Sequence, residues 1–372
     1  MDFAAEGLLE GIEEASERAE RIALLERLLA DGVPLEELRR AAAEDRLVLL
    51  QVERMLGTER HTAREVAARL AVPVELVLRM REALGLPRPD PDDRVLTDSD
   101  VAAADRLKLF HAAGLPEDGI LEVARVLGEG MARVAATLRP LVRDTFLQPG
   151  IGERELSERY ATASATLGPQ LDAVMQHVLN MHLRDQLRTD VVGRAELAHG
   201  GVLGAVPMSI AFADLVGFTK LGERVPAEEL GAVARRLREL AGEVAAARPP
   251  VRLVKTIGDA AMLVSPDPDA LLASSLELVA AAEAESDAFP QLRAGVATGP
   301  VLGRAGDWYG SPVNIASRIT GIARPGSVVA AATTREAADE EGRWRWSSLP
   351  SRRLRGVDHP VPLFRVRPAP DG

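Results

Sequence analysis

The sequence predicts an α+β chain in two parts, an all-helical N-terminal half followed by a sandwich of helices laid on a mostly antiparallel sheet. Three observations carry this. The chain has 372 residues, enough for two domains that each bury a core. Residues 1 to about 198 repeat apolar side chains at three- and four-residue spacing between Gly and Pro boundaries, the period of amphipathic helices. From about residue 206, short β-branched runs alternate with longer helical stretches.

In the first half the periodicity predicts helices over 4–30, 35–56, 62–70, 73–85, 98–113, 116–145 and 152–190. Pro116 sits just inside the start of its helix, where a missing N–H costs nothing. The run Pro87-Arg88-Pro89-Asp90-Pro91-Asp92-Asp93 cannot be helical and reads as an exposed connection. In the second half Ser209–Ala213, Val251–Thr256 and Ala260–Val264 read as strands. The last two are joined at Ile257-Gly258-Asp259, a turn in which Gly258 can take the positive φ that a hairpin needs. Leu292–Thr298 and Val301–Arg304 read as a second hairpin through Gly299-Pro300, and long helices fit Pro226–Ala247 and Asp269–Glu285. The order β-α-ββ-α-ββ-α predicts helices packed on a sheet. His199-Gly200-Gly201 reads as the hinge, which divides the chain into 1–198, including a linker helix 152–190, and 199–372.

Composition narrows the function. Hydrophobic content of 47% and a mean hydropathy of −0.01 describe a globular protein. The excess of 56 acidic over 45 basic residues, net −11, gives no general attraction to nucleic acid or anionic membrane. No apolar stretch approaches the ~20 residues of a membrane span. The first residues lack the basic and apolar regions of a signal peptide, so a cytoplasmic location is expected. With no cysteine, disulfides, thiolate metal sites and thiol catalysis are excluded.

Six polar residues set in apolar or glycine-bearing sequence then stand out: Asp214, Lys255, Asp259, Asp307, Asn314 and Arg318. Asp214 ends a predicted strand and precedes Leu215-Val216-Gly217-Phe218-Thr219, a tight turn with Thr219 placed to cap a helix. A carboxylate beside helix-start N–H groups can hold a divalent cation while those groups hold phosphate. Asp259, at the tip of the neighbouring hairpin, can share the ions; taken singly, each Asp is equally at home as a cap or turn residue. Lys255 lies in an apolar strand of a chain whose other lysines are only Lys108 and Lys220. Its choice is between a stem laid along the sheet and a specific donor role. Asp307 sits in a turn, Gly306–Gly310. Ser311 and Pro312 open a helix on which Asn314 and Arg318, four apart, share a face. There an Asn can anchor a sugar oxygen and an Arg can offset charge growing on a phosphorus centre.

These segments, Phe212–Thr219, Lys255–Asp259 and Gly306-Asp307 through Asn314–Arg318, resemble in order and spacing the signatures of class III nucleotide cyclases. The resemblance covers about 206–368 and implies a ferredoxin-like sheet related to the polymerase palm. It implies that Asp214 and Asp259 bind metal, two Mg2+ or Mn2+ per site. It implies that Lys255 and Asp307 read adenine, since guanylate-specific members carry Glu and Cys-type residues there. Asn314 would orient the ribose, Arg318 would stabilise the transition state, and Gly217, Phe218, Thr219 and Arg355 would bind phosphate, Arg355 by a looser match. The implied reaction converts ATP to 3′,5′-cyclic AMP and pyrophosphate. Because the family divides the metal aspartates and the remaining set between two subunits, a chain carrying both implies a head-to-tail homodimer.

The N-terminal half resembles the regulatory domain of soluble actinobacterial adenylate cyclases of the mycobacterial pH-sensing type. Within the linker, Leu171, Met175, Val178 and His182 fall on one stripe. His182, with His177 and the hinge His199, forms a candidate sensor, because imidazole titrates near ~6.5. A small-molecule or lipid ligand of this half is a further expectation. The segments 61–67 and 74–79, followed by 100–127, also resemble the helix-turn-helix of MerR-like regulators, which gives an alternative reading as a DNA-binding regulator with a nucleotide-sensing C-terminal domain. Against it, Val74–Leu84 sets Arg79 and Arg81 against Glu75 and Glu82, leaving no basic recognition helix. A diguanylate cyclase lacks support, since the Gly-Gly-Asp/Glu-Glu-Phe turn is missing.

Overall fold

The computed structural model describes residues 1–58, 60–146, 150–196, 205–286, 288–304, 306–338 and 342–369. The chain divides into two compact units, Met1–Ala195 and Glu196–Gly372; the predicted hinge at His199 lies outside the described residues.

The first unit is helical: α1 (Ala15–Ala30), α2 (Leu35–Ala43), a 3-10 turn (Leu47–Leu49), α3 (Leu50–Leu56), α4 (Ala63–Leu70), α5 (Val74–Ala83), α6 (Asp98–Ala112), α7 (Glu117–Phe146) and α8 (Glu153–Glu196). Two predicted helices are divided. The stretch 4–30 begins with turns and becomes helical only at Ala15, and 35–56 breaks at Asp45, whose φ of 51° is left-handed. Apolar periodicity runs through both breaks because Phe3, Leu8 and Leu9, outside the helices, join the same core as Leu24, Leu25, Leu28 and Leu38. Thr62 caps α4 by the reciprocal bonds of a capping box with Glu65.

The second unit contains β1 (Ala205–Leu215), α9 (Phe218–Gly222), α10 (Ala227–Ala247), β2 (Arg252–Ile257), β3 (Ala260–Ser265), α11 (Pro268–Glu283), β4 (Leu292–Arg304), β5 (Asp307–Tyr309), α12 (Ser311–Ile322), β6 (Ser327–Ala331), α13 (Ala332–Ala337), β7 (Trp344–Arg352) and β8 (Val361–Pro368). The eight-stranded sheet has the order β2-β3-β1-β4-β6-β8-β7, with β5 paired to β4. Only β4 and β6 run parallel. One face carries α10 and α11 through Leu237, Leu240, Val244, Leu271 and Leu278. The other carries α12 through Ala316 and Ile319, packed on Ile210, Met262 and Val301.

The predicted hairpin at Gly299-Pro300 is not formed. β4 continues through it and pairs with β1 from Leu215↔Leu292 to Ala205↔Leu302. Pro300 lies opposite Pro207, where β1 has run past β3 and β4 past β6, so the missing N–H groups remove nothing from those outer ladders. The chain reverses instead before β5, at Gly306, whose φ is 75°. Gly258 does take positive φ, 60°, in the β2–β3 turn.

Candidate functional site

The carboxylates come together because β1 and the β2–β3 turn are bonded at their ends. Asp214 pairs in register with Ala260 on β3 and Arg293 on β4. The Leu215 N–H donates to the Asp259 carbonyl at 3.0 Å, fixing the turn beside the end of β1. Burial pushes the Asp259 carboxyl above its usual range, and the Asp214 charge adds to the shift against the opposing effects of a backbone N–H and Arg293. Two carboxylates in this relation fit a divalent cation, which would relieve their repulsion. Among the described residues no group of three or more His, Asp or Glu side chains placed to share a metal ion exists.

Arg293 was not singled out by the sequence reading. Its Nη2 and Nε donate to Asp214 Oδ2 at 2.7 and 3.1 Å, and its Nη1 donates to the Gly321 carbonyl at 3.0 Å. In sequence it is one polar residue in an apolar strand; only the β1–β4 register sets it opposite Asp214.

Lys255 reaches Asp307 through a direct ion pair, so the two residues predicted to act together do meet. A β-bulge makes this possible. Leu253 pairs with Leu263 and Lys255 with Met262, leaving Val254 as the extra residue of β2. Met262 belongs to the core under α12, so the bulge turns Lys255 to that face of the sheet. The Trp308 N–H donates to Asp307 Oδ1 at 2.9 Å and holds the carboxylate in place.

On α12, Pro312, Ala316, Ile319 and Thr320 are buried, while Asn314 and Arg318 are exposed and have no hydrogen-bond or ion-pair partner among the described residues. The helix as a whole is half-buried, and its polar face is open. Two details of the predicted caps differ. Gly217, with a φ of 79°, occupies the N-cap of α9, and Thr219 lies inside that helix; Gly310 occupies the N-cap of α12, one residue before Ser311. Phe218 packs against the core below and Thr219 is exposed. Arg355 is exposed in the turn between β7 and β8, at the sheet edge opposite β2 in the same chain.

The helical unit holds two concavities of about 300 and 360 Å3, lined by α4, α6 and the segments before them, among them Arg60, His61, Arg69, Arg94 and Val101. His61 Nε2 lies 2.7 Å from Asp98 Oδ1, and this bond lowers the Asp98 carboxyl below its usual range. His177 and His182 are exposed on α8, as is Val178 of the predicted stripe. On α5 Arg79 pairs with Glu117 at 2.7 Å, and Arg81 donates to the Pro87 carbonyl at 3.2 Å. Arg88 after it holds Glu75 at 2.7 Å. The arginines of α5 are thus already engaged within the protein, which disfavours α5 as the recognition helix of the MerR-like alternative. Among the described residues no helix is long and apolar enough to cross a membrane.

Residues 1–187 match the adenylate cyclase regulatory domain, and residues 205–359 match the adenylate and guanylate cyclase catalytic domain. A pH-sensitive adenylate cyclase of Mycobacterium tuberculosis is 44% identical over 94% of this chain and 88% of its own length. An adenylate cyclase of Streptomyces coelicolor is 33% identical over 77% of this chain and 74% of its own. Among solved structures, the adenylyl cyclase CyaB from P. aeruginosa aligns with 44% of this chain and 95% of its own, at 19% identity and a TM-score of 0.38.

Proposed function

The chain belongs to the adenylate cyclases that join an adenylate cyclase regulatory domain to a class III catalytic domain, and from this premise we propose that it closes ATP to 3′,5′-cyclic AMP at sites shared by two copies of itself. The observation that carries the reading is the Lys255–Asp307 pair, held on the same face of the sheet as Asp214 and α12. A lysine donor beside a carboxylate acceptor matches the ring nitrogen and exocyclic amine of adenine; guanine presents the opposite polarity.

Asp214 and Asp259 would hold the divalent ions, Mg2+ or Mn2+. When bound, two such ions would acidify the ribose 3′-hydroxyl and offset charge at the α-phosphate. Asn314 holds the ribose so that its 3′-oxygen faces the α-phosphorus in line with the departing pyrophosphate. Arg318 meets the charge that grows on the α-phosphate oxygens as the new bond to the 3′-oxygen forms and the bond to pyrophosphate breaks. The N–H groups at Gly217, Phe218 and Thr219, with Arg355, bind the β- and γ-phosphates. Arg293 orients Asp214 through its two bonds to Oδ2.

The two-copy arrangement is supported by what one chain leaves open. Asn314 and Arg318 are exposed without partners among the described residues, and Arg355 stands at the far edge of the sheet from the β2–β3 turn. Large apolar side chains are exposed on β2, β5 and α12: Ile257 56%, Tyr309 54% and Ile322 47%. A two-fold axis that covers them brings Asn314, Arg318 and Arg355 of one copy to the aspartates of the other. ATP being an intracellular nucleotide, the working compartment is the cytoplasm.

The reaction is tested by incubating the full chain with ATP or GTP and Mn2+ and separating the products. The reading expects cyclic AMP with equimolar pyrophosphate and far less cyclic GTP; equal turnover of both nucleotides would overturn the assignment of Lys255 and Asp307.

Regulation by pH through the helical half is the second part of the proposal, supported by the similarity to the pH-sensitive relative. The linker histidines His177 and His182 and the hinge His199 are the candidates, since imidazole is the side chain whose ordinary charge change lies nearest neutral pH; a small-molecule or lipid ligand of this half is the other input proposed. Activity should rise as pH falls below neutral, and an unchanged pH profile in the triple His→Gln chain would remove the three histidines from the role.

A further inference from the structure

The bulge in β2 sets a problem that the rest of the fold must solve. With Val254 inserted, Leu253 faces the core under α10 and α11, Val254 and Lys255 face α12, and Thr256 returns to the α10 side opposite Ala261. A bulged strand at a sheet edge has lost ladder bonds and is prone to slip by one residue, which would carry Lys255 to the wrong face. β2 is such an edge strand. Beyond the bulge only Lys255, Thr256 and Ile257 pair with β3.

Among the described residues, one side-chain bond from outside the sheet reaches this short segment. Arg238, on the exposed side of α10, donates from Nε to Thr256 Oγ1 at 3.0 Å. It makes no ion pair among the described residues, unlike Arg236 two positions earlier, which is held by Glu285 at 2.9 Å. Thr256 and Lys255 are adjacent and point to opposite faces, so fixing the hydroxyl of one fixes the direction of the other. α10 is in turn anchored in the core through Leu237, Leu240 and Ala241.

We infer that Arg238 is a positioning residue for base recognition, acting through Thr256 to hold the β2 bulge in the register that presents Lys255 to Asp307. The inference rests on the reading of Lys255 and Asp307 as the adenine-reading pair. Arg238 touches no substrate; its effect is on where the Lys255 ammonium stands, and so on discrimination between purines rather than on the chemical step.

The test uses the full chain with ATP as substrate and GTP as competing inhibitor, reading the ratio of Ki for GTP to KM for ATP, kcat separately, and the melting temperature. Arg238→Ala and Thr256→Val should each lower the ratio by about threefold to tenfold, the scale of one charge-assisted hydrogen bond partly screened by solvent. Their kcat should stay within about twofold, since the reacting groups are untouched. Thr256→Ser, which keeps the hydroxyl, should keep the parent ratio. A ratio unchanged in Arg238→Ala and Thr256→Val, in a background where Lys255→Ala abolishes discrimination, overturns the inference while leaving the base-reading pair intact. Loss of kcat and melting temperature with no change in ratio also overturns it, as a purely structural role. If Lys255→Ala itself leaves the ratio unchanged, the base-reading pair fails, and the inference falls with it.

Discussion

Asp259 is the side chain whose ionisation the surrounding fold opposes most clearly in the catalytic unit. Its carboxyl is raised by burial and by Asp214, so its contribution to stability is present below the ordinary carboxylate value and is lost as pH rises through the raised one. Without metal, Asp259→Asn should therefore melt higher than the parent by a margin that grows as pH rises above the ordinary carboxylate value. Divalent ions should raise the melting temperature of the parent and lose most of that effect on the Asn variant. A variant that melts below the parent at neutral pH, or that responds fully to Mn2+, would contradict the account of the pair. At Lys255 and Asp307 the prediction concerns selectivity. Removing either should cost about tenfold or more in kcat/KM for ATP with a smaller loss for GTP, because the surviving partner is left without its match. The six principal residues were legible from the chain because each is a polar residue in an apolar or glycine-bearing setting. Arg293 was not, since its meaning lies in the strand register opposite Asp214.

The elements hold these residues through close backbone packing more than through side-chain bonds. α12 lies directly on β4 at Gly295, where a Cβ would meet the Thr320 amide nitrogen at 2.4 Å and the Ala316 carbonyl at 2.5 Å. Gly295→Ala should destabilise the catalytic unit by about 1–3 kcal/mol and shift α12, with the largest activity loss of any single methyl addition, because Asn314 and Arg318 ride on that helix. In α10, Gly231 has open space around it, so Gly231→Ala should stabilise by about 0.5–1 kcal/mol with activity unchanged. Thermal melts of the two variants side by side separate close approach from simple helix propensity. Helices were the most legible elements, since α4 to α8 keep their apolar period and clear Gly or Pro ends. The division at Asp45 was hidden because the apolar pattern continues across it. Gly299-Pro300 resembles a turn locally, and only the pairing of β4 with β1 along its whole length overrides that signal. The bulge at Val254 was equally invisible, being a property of two strands together.

At the scale of the whole molecule, the chain is an adenylate cyclase with a helical unit and a mixed-sheet catalytic unit. Both the helical and the mixed half were legible from the change in apolar period near residue 206, while the strands after α12 carried no motif strong enough to order them. In the proposed dimer, two incomplete sites become two complete ones when copies pair. Chains carrying Asp214→Asn and chains carrying Arg318→Ala should each be nearly inactive, since every site in either homodimer lacks one essential group. In an equimolar mixture, mixed dimers regain one site with Asp214 from one copy and Arg318 from the other, restoring up to about a quarter of the parent activity. The direct measurement is cyclic AMP formation by that mixture, with dimer exchange followed on differently tagged chains. Recovered activity that tracks the mixed dimer is the predicted result; mixed dimers that form and remain as inactive as either variant alone would contradict the account.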